Sequence, residues 1–194
     1  MHEINKKSMN LNPLKRLCYE RELRNRIAEK RQRLYRLAYS WCHDSALSDD
    51  LTQETMTKAL HKMSSLKNPE ALDCWLYGIL ANCWRDHFRR TREFENIDDC
   101  TFTDDVTPER NYEQQYITQT IQAAVSKLPL GQRQALTLVD LEGFSYAEVA
   151  DILEIPIGTV MSRLCRARKM LTQELLDLKT QSGEDRSPLL RRVK

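Results

Sequence analysis

Apolar residues recur along this chain at steps of three and four, and no β-branched stretch alternates strictly, so the pattern predicts helices throughout. Leu23, Ile27, Leu34, Leu37, Ala38 and Trp41 line one face of a first long helix, with a slip near Lys30. A second helix is expected to start near Ser48, an N-cap candidate with Asp49 and Asp50 behind it, where carboxylates favour the positive end of the helix dipole. It ends before "SSLKNPEA", residues 64–71, which reads as a loop. The third helix, about Glu70 to Arg92, carries Leu72, Trp75, Leu76, Ile79, Leu80, Cys83 and His87 on one stripe. Gly78, Asn82, Arg85, Arg89 and Arg92 fall on the opposite side, so this helix has a core face and a basic face.

Apolar periodicity resumes with Ile117, Ile121, Ala124, Val125 and Leu128 and stops at Pro129. A further helix is expected from about Gly131 to Glu142, with Gly143 as its left-handed C-terminal residue. Ser145 and Glu148 form a capping box, and Phe144 and Val149 occupy the positions of a hydrophobic staple. Ala147, Ala150, Ile152 and Leu153 supply packing positions, and "EIPIGT" forces a turn before the next helix. A helix, a tight turn and a second helix is the helix-turn-helix plan, whose second helix enters the major groove of DNA. In that second helix Val160, Leu164, Ala167 and Leu171 step inward, leaving Ser162, Cys165, Arg166 and Lys169 outward with Thr159 and Met161 at the margins. Arginine pairs in a bidentate way with guanine, and lysine neutralises phosphate, so this strip suits DNA.

Composition changes this picture in three ways. The 194 residues hold only five glycines and six prolines, which supports an all-α class of one or two small domains. The 30 Lys plus Arg against 28 Asp plus Glu give a net charge of +2 that excludes little. The distribution is informative: residues 93–113 hold eight acids against Arg110 alone, a local net of −7, which reads as an acidic tether between two domains. The expected organisation is a basic arm (1–18), a helical domain (19–92), the acidic flexible linker (93–114), a helix-turn-helix domain (115–176) and a polar tail (177–194).

No apolar run approaches the roughly 20 residues a membrane span needs, so no membrane insertion and a cytoplasmic location are expected. Six cysteines at scattered spacings suit reduced thiols rather than a disulfide framework. Cys83 and His87 stand four apart on a helix but on its apolar face and without a third ligand, so neither a metal nor another cofactor is expected, and no catalytic constellation is present.

The segment "LPLGQRQALTLVDLEGFSYAEVADILEIPIGTVMSRLCRARKML" resembles the fourth conserved region of bacterial RNA polymerase sigma factors of the sigma-70 family, especially the two-domain extracytoplasmic-function (group IV) type. In the other half, "SDDLTQETMTKAL" resembles the second-region helix that binds core polymerase, and "CWLYGILANCWRDHFRR" the helix that meets the minus-10 element. The resemblance implies a non-enzymatic initiation factor that binds the β′ clamp and β flap of core RNA polymerase, recognises promoter DNA, helps melt the minus-10 region, and answers to an anti-sigma factor.

By position, the resemblance assigns polymerase binding to Asp50, Gln53 and Glu54. It assigns minus-10 contact to Lys67 in the loop and to Asn82, Arg85, Arg89 and Arg90, with Asn82 at a pocket for a flipped base. Thr159, Met161, Ser162, Arg163, Cys165, Arg166 and Lys169 are assigned to the minus-35 element. Family members often carry a basic residue where Met161 stands and a larger or imidazole side chain where Cys165 stands, which leaves the minus-35 sequence open. The alternative reading is a polymerase-independent helix-turn-helix regulator, but residues 19–92 show neither the α/β alternation of a receiver domain nor a ligand pocket.

Overall fold

The structure, a computed structural model, describes residues 13–66, 68–94 and 121–181, and the regular elements within them are all helical. The expected acidic linker lies outside the described residues. The first long helix is in fact two, α1 (Pro13–Glu29) and α2 (Arg31–Cys42). The slip near Lys30 is the break: the Lys30 N–H bonds to the Ile27 carbonyl at 3.1 Å, a tightened last turn. Helix α1 opens at Pro13, where a missing N–H costs nothing, so residues 13–18 are helical rather than part of an arm.

His43 ends α2 in the left-handed region at φ 54°, which sets Asp44 extended and ready to cap α3 (Ser45–His61). The cap is therefore Asp44, whose Oδ1 accepts from the Leu47 N–H at 2.9 Å, and not Ser48. Ser48 is buried one turn inside the helix and donates to the Asp44 carbonyl at 2.5 Å. The expected loop contains two 3₁₀ turns, Met63–Ser65 and Pro69–Ala71, the second capped by the Asn68 side chain. Arg26 donates to the Pro69 carbonyl at 3.0 Å and Lys30 pairs with Asp73 at 2.8 Å, tying the α1–α2 junction to the start of α4 (Leu72–Phe94).

In the second half, residues 121–126 form α5 and are followed by α6 (Leu130–Leu136). The predicted continuous helix to Glu142 instead widens into a π turn over Thr137–Leu141, where the Glu142 N–H reaches back to the Thr137 carbonyl at 3.0 Å. Gly143 takes φ +79°, as the pattern requires, and leads into α7 (Tyr146–Leu153), a turn, and α8 (Ile157–Gln181). Both reciprocal bonds of the Ser145–Glu148 capping box are present. Among the described residues, no helix is long and apolar enough to cross a membrane.

The two helical halves share one core. The stripe Leu72, Leu76, Leu80 and Cys83 is buried as expected, but Tyr77, Ala81 and Trp84 on the neighbouring face of α4 are buried too. Tyr77 meets Phe144 edge-on at 5.1 Å and Trp84 meets Trp41 edge-on at 6.4 Å, and α4 also packs against α7, so α4 is covered from both halves. Trp41 and Thr137, both 1% exposed or less, join the halves through an indole N–H donated to the Thr137 hydroxyl at 2.9 Å. Arg133 completes this contact by donating to the Trp41 carbonyl at 2.8 Å. Burial depresses the pKa of that guanidinium below the usual arginine value; its two terminal nitrogens donate to the backbone carbonyls of Trp41, Ser126 and Leu128, while its buried Nε has no partner among the described residues.

Candidate nucleic-acid interface

Helix α8 is built as its periodicity required. Val160, Leu164 and Ala167 are buried, Leu171 is half-buried, and Met161, Ser162, Cys165, Arg166 and Lys169 are exposed. Thr159 and Arg163 are half-buried at the margins, and the Ser162 hydroxyl donates to the Thr159 carbonyl at 3.0 Å. Arg166 and Lys169 make no ion pair among the described residues, which leaves both cations available to phosphates and base edges.

Two arginines of α8 also reach neighbouring elements. Arg168 makes a two-pronged bond to Asp140 of the π turn, at 2.6 and 3.2 Å, and this contact raises its already high pKa further. Arg163 lies across Gly131 at the start of α6, where an added Cβ would stand 2.9 Å from the guanidinium carbon. The guanidinium is the far end of a flexible side chain, so a Cβ at position 131 would displace it rather than clash with backbone.

On α4, Arg89 and Arg90 are exposed, with Arg89 bonded to Asp86 at 3.2 Å. Asn82 and Arg85 are brought together: the Arg85 guanidinium donates to Asn82 Oδ1 at 2.7 Å. Both then turn to the second half. Asn82 Nδ2 donates to Glu154 Oε1 at 3.3 Å, Arg85 donates to Glu154 Oε2 at 3.0 Å, and its other nitrogen donates to the Leu153 carbonyl at 3.1 Å. Lys67 lies outside the described residues. Between α4 and the second half runs a groove of about 510 Å³ bordered by Trp84, Arg85, Phe88, Arg89, Leu153 and Arg163.

A third surface lies on α3. Asp50 and Gln53 are exposed and Glu54 half-buried, at spacings of three and four that set them on one face. Glu54 is held by Lys58 at 2.8 Å, and this hydrogen bond raises the lysine pKa. Among the described residues no group of three or more His, Cys, Asp or Glu side chains could hold a metal ion. Burial pushes the Cys42, Cys74 and Cys83 thiols up, away from the reactive thiolate.

Two family descriptions match this layout in order: Sigma-70 region 2 over residues 27–94 and Sigma-70, region 4 over residues 118–171. The ECF RNA polymerase sigma factor EcfG of Rhodopseudomonas palustris (strain TIE-1) is 35% identical over 151 residues, covering 77% of this chain and 83% of that one. The chain belongs to the extracytoplasmic-function (ECF) sigma factors. The RNA polymerase sigma-H factor of Pseudomonas aeruginosa is 29% identical over 164 residues, with 78% and 85% covered. Among solved structures, the sigma factor RpoE of Bartonella quintana, in complex with the anti-sigma factor NepR, superposes with a TM-score of 0.69 at 30% identity. That match covers 80% of this chain and 97% of the other. The chain is thus an RNA polymerase sigma factor, a DNA-binding protein of transcription initiation.

Several structural residues of this sigma factor were missed by pattern reading. Glu142, Glu154, Tyr77 and Thr137 earn their roles from partners 65 to 96 positions away, and no local period signals them. Asp140 and Arg168 were legible only as an acid and a base on separate helices.

Proposed function

We propose that this sigma factor uses three surfaces in sequence. The Asp50, Gln53 and Glu54 face of α3 docks on the β′ clamp of core polymerase, and the second half docks on the β flap. Lys67, Asn82, Arg85, Arg89 and Arg90 receive the minus-10 element, with the Asn82 amide reading a base extruded from the duplex at a cost of about a few kcal/mol. Met161, Ser162, Cys165, Arg166 and Lys169, with Thr159 and Arg163 at the edges, meet the minus-35 element in the major groove. The carrying observation is the sorting of α8, which buries Val160, Leu164 and Ala167 and leaves this polar strip free of ion pairs among the described residues.

On this reading the functional units are 19–92 and 115–176, and the chain performs no chemistry itself, since bond formation belongs to the polymerase. It works in the cytoplasm, where polymerase and chromosome are. A dedicated anti-sigma factor controls it, by analogy with the complex formed by RpoE of B. quintana. The test is run-off transcription by purified core polymerase on a genomic promoter library, with and without the protein. Promoter-specific transcripts are expected only with the protein, and Asp50→Ala combined with Gln53→Ala should weaken its binding to core. Absence of both stimulation and core binding would refute the proposal.

A further inference from the structure

The outward side of α8 is not wholly polar. Ile157, Met161 and Cys165 follow one another at steps of four, and all three are exposed, Ile157 at 49% and Met161 at 54%. Residues four apart on a helix are neighbours, so these side chains form one oblique ridge that starts at the first residue of the helix. At roughly 1.5 Å per residue the ridge is about 12 Å long. None of the three packs in or against the core cluster, which α8 meets through Val160, Leu164, Ala167 and Leu171.

Scattered exposed apolar residues need no explanation, but these three are contiguous and rimmed by polar groups. Ser162, Arg166 and Lys169 run alongside them, and neither cation makes an ion pair among the described residues. An apolar ridge edged by unpaired cations fits a polyanion that carries apolar groups of its own.

The chemistry of base edges narrows the contact to one group. In the major groove guanine offers two acceptors, cytosine a donor and adenine one of each, whereas thymine alone offers a methyl beside its acceptor. Isoleucine has no hydrogen-bonding group in its side chain and methionine only a weak thioether acceptor, so neither can satisfy a polar edge that it covers. A donor or acceptor covered without a partner is desolvated at a net loss, while a methyl covered by the same side chain is a gain. The ridge therefore selects T·A pairs, both by what it buries and by what it cannot bond.

We propose that Ile157, Met161 and Cys165 form a thymine-methyl reader that sets the T·A positions of the minus-35 element, next to the hydrogen-bonding strip of Ser162, Arg166 and Lys169. This rests on the proposed minus-35 role of α8, to which it adds Ile157 and the chemical group recognised.

The test uses the holoenzyme and a promoter that it transcribes, taken from the run-off library. Replacing each thymine of the minus-35 element, on either strand, by deoxyuridine removes the methyl and leaves every hydrogen-bonding group in place. Binding measured by competition should weaken about three- to fivefold at one or more positions, the factor that corresponds to burying one methyl-sized group. Deoxyuridine between the two elements should have no effect. Ile157→Ala and Met161→Ala change exposed positions outside the core, and each should bind the thymine promoter less well and lose the uracil penalty at one position. Arg166→Ala should weaken binding while keeping every uracil penalty.

Loss of a penalty in either ridge variant supports the reader. Wild-type indifference to uracil at every position, penalties retained in both variants, or a preferred element without a T·A pair would overturn it. A scrambled minus-35 element separates the two readings. If scrambling weakens binding and uracil does not, the methyl reader alone falls; if scrambling changes nothing, the minus-35 assignment falls and the reader with it.

Discussion

Thr137→Val tests the joint between the halves with little change of shape. Valine keeps the β-branched outline and the helix preference, and only the hydroxyl is lost. The Arg133 carbonyl that the hydroxyl also contacts at 2.9 Å retains the Thr137 backbone N–H as a donor, so it is not orphaned. The Trp41 indole N–H is orphaned, because its 2.9 Å acceptor is gone and the side chain is only 1% exposed. Leaving such a donor buried and unpaired costs about 1–3 kcal/mol. Urea unfolding of the full chain should show that loss as a lower midpoint at unchanged slope. The indole fluorescence and the helical circular dichroism should move together, because the core is shared.

The decisive control is Trp41→Phe, which removes the donor and has its own packing cost. In that background Thr137→Val should become nearly neutral, giving a coupling of about 1–3 kcal/mol. Additivity within about 0.5 kcal/mol would refute the claim that this bond joins the halves.

The α8 strip divides into base and phosphate contacts. Arg166→Ala should lose about 1–3 kcal/mol and relax preference at one minus-35 position, whereas Lys169→Ala should weaken all sequences alike and flatten the salt dependence; binding titrations across variant promoters at several salt concentrations check this, and identical uniform losses would refute the division. At the entry to α7, the Ser145 hydroxyl and backbone N–H hold the Glu148 carboxyl below its ordinary value. Its folded pKa being depressed, the box stabilises above the ordinary glutamate pKa of about 4.3 and is lost as pH falls through the lower folded value. Ser145→Ala should cost about 1 kcal/mol at neutral pH, and Glu148→Gln should flatten this part of the acid limb in urea melts taken from pH 7 to pH 3.

The helix-turn-helix was legible residue by residue because its determinants are local. A capping box spans four positions, Gly143 needs only its own φ, and the inward steps of Val160, Leu164 and Ala167 repeat within a few turns. The same locality explains the misplaced start of α3. Ser48 and Asp44 are both good caps in isolation, and the choice between them was made by His43 turning left-handed at the end of α2.

Sequence by itself determined the all-helical class, the order of the two halves, the turn between α7 and α8, and the outward strip of α8. Each follows from periods of three to four and from side chains that satisfy their own neighbouring backbone. Tertiary structure alone decided that the second face of α4 is buried, that the chain widens into a π turn at Thr137, and that Asn82 and Arg85 meet Glu154 rather than solvent. Those outcomes depend on pairings across 69 to 96 residues, for which a helical period carries no information. A basic stripe along a helix looks the same whether its partner is water, DNA or a carboxylate from the other end of the chain.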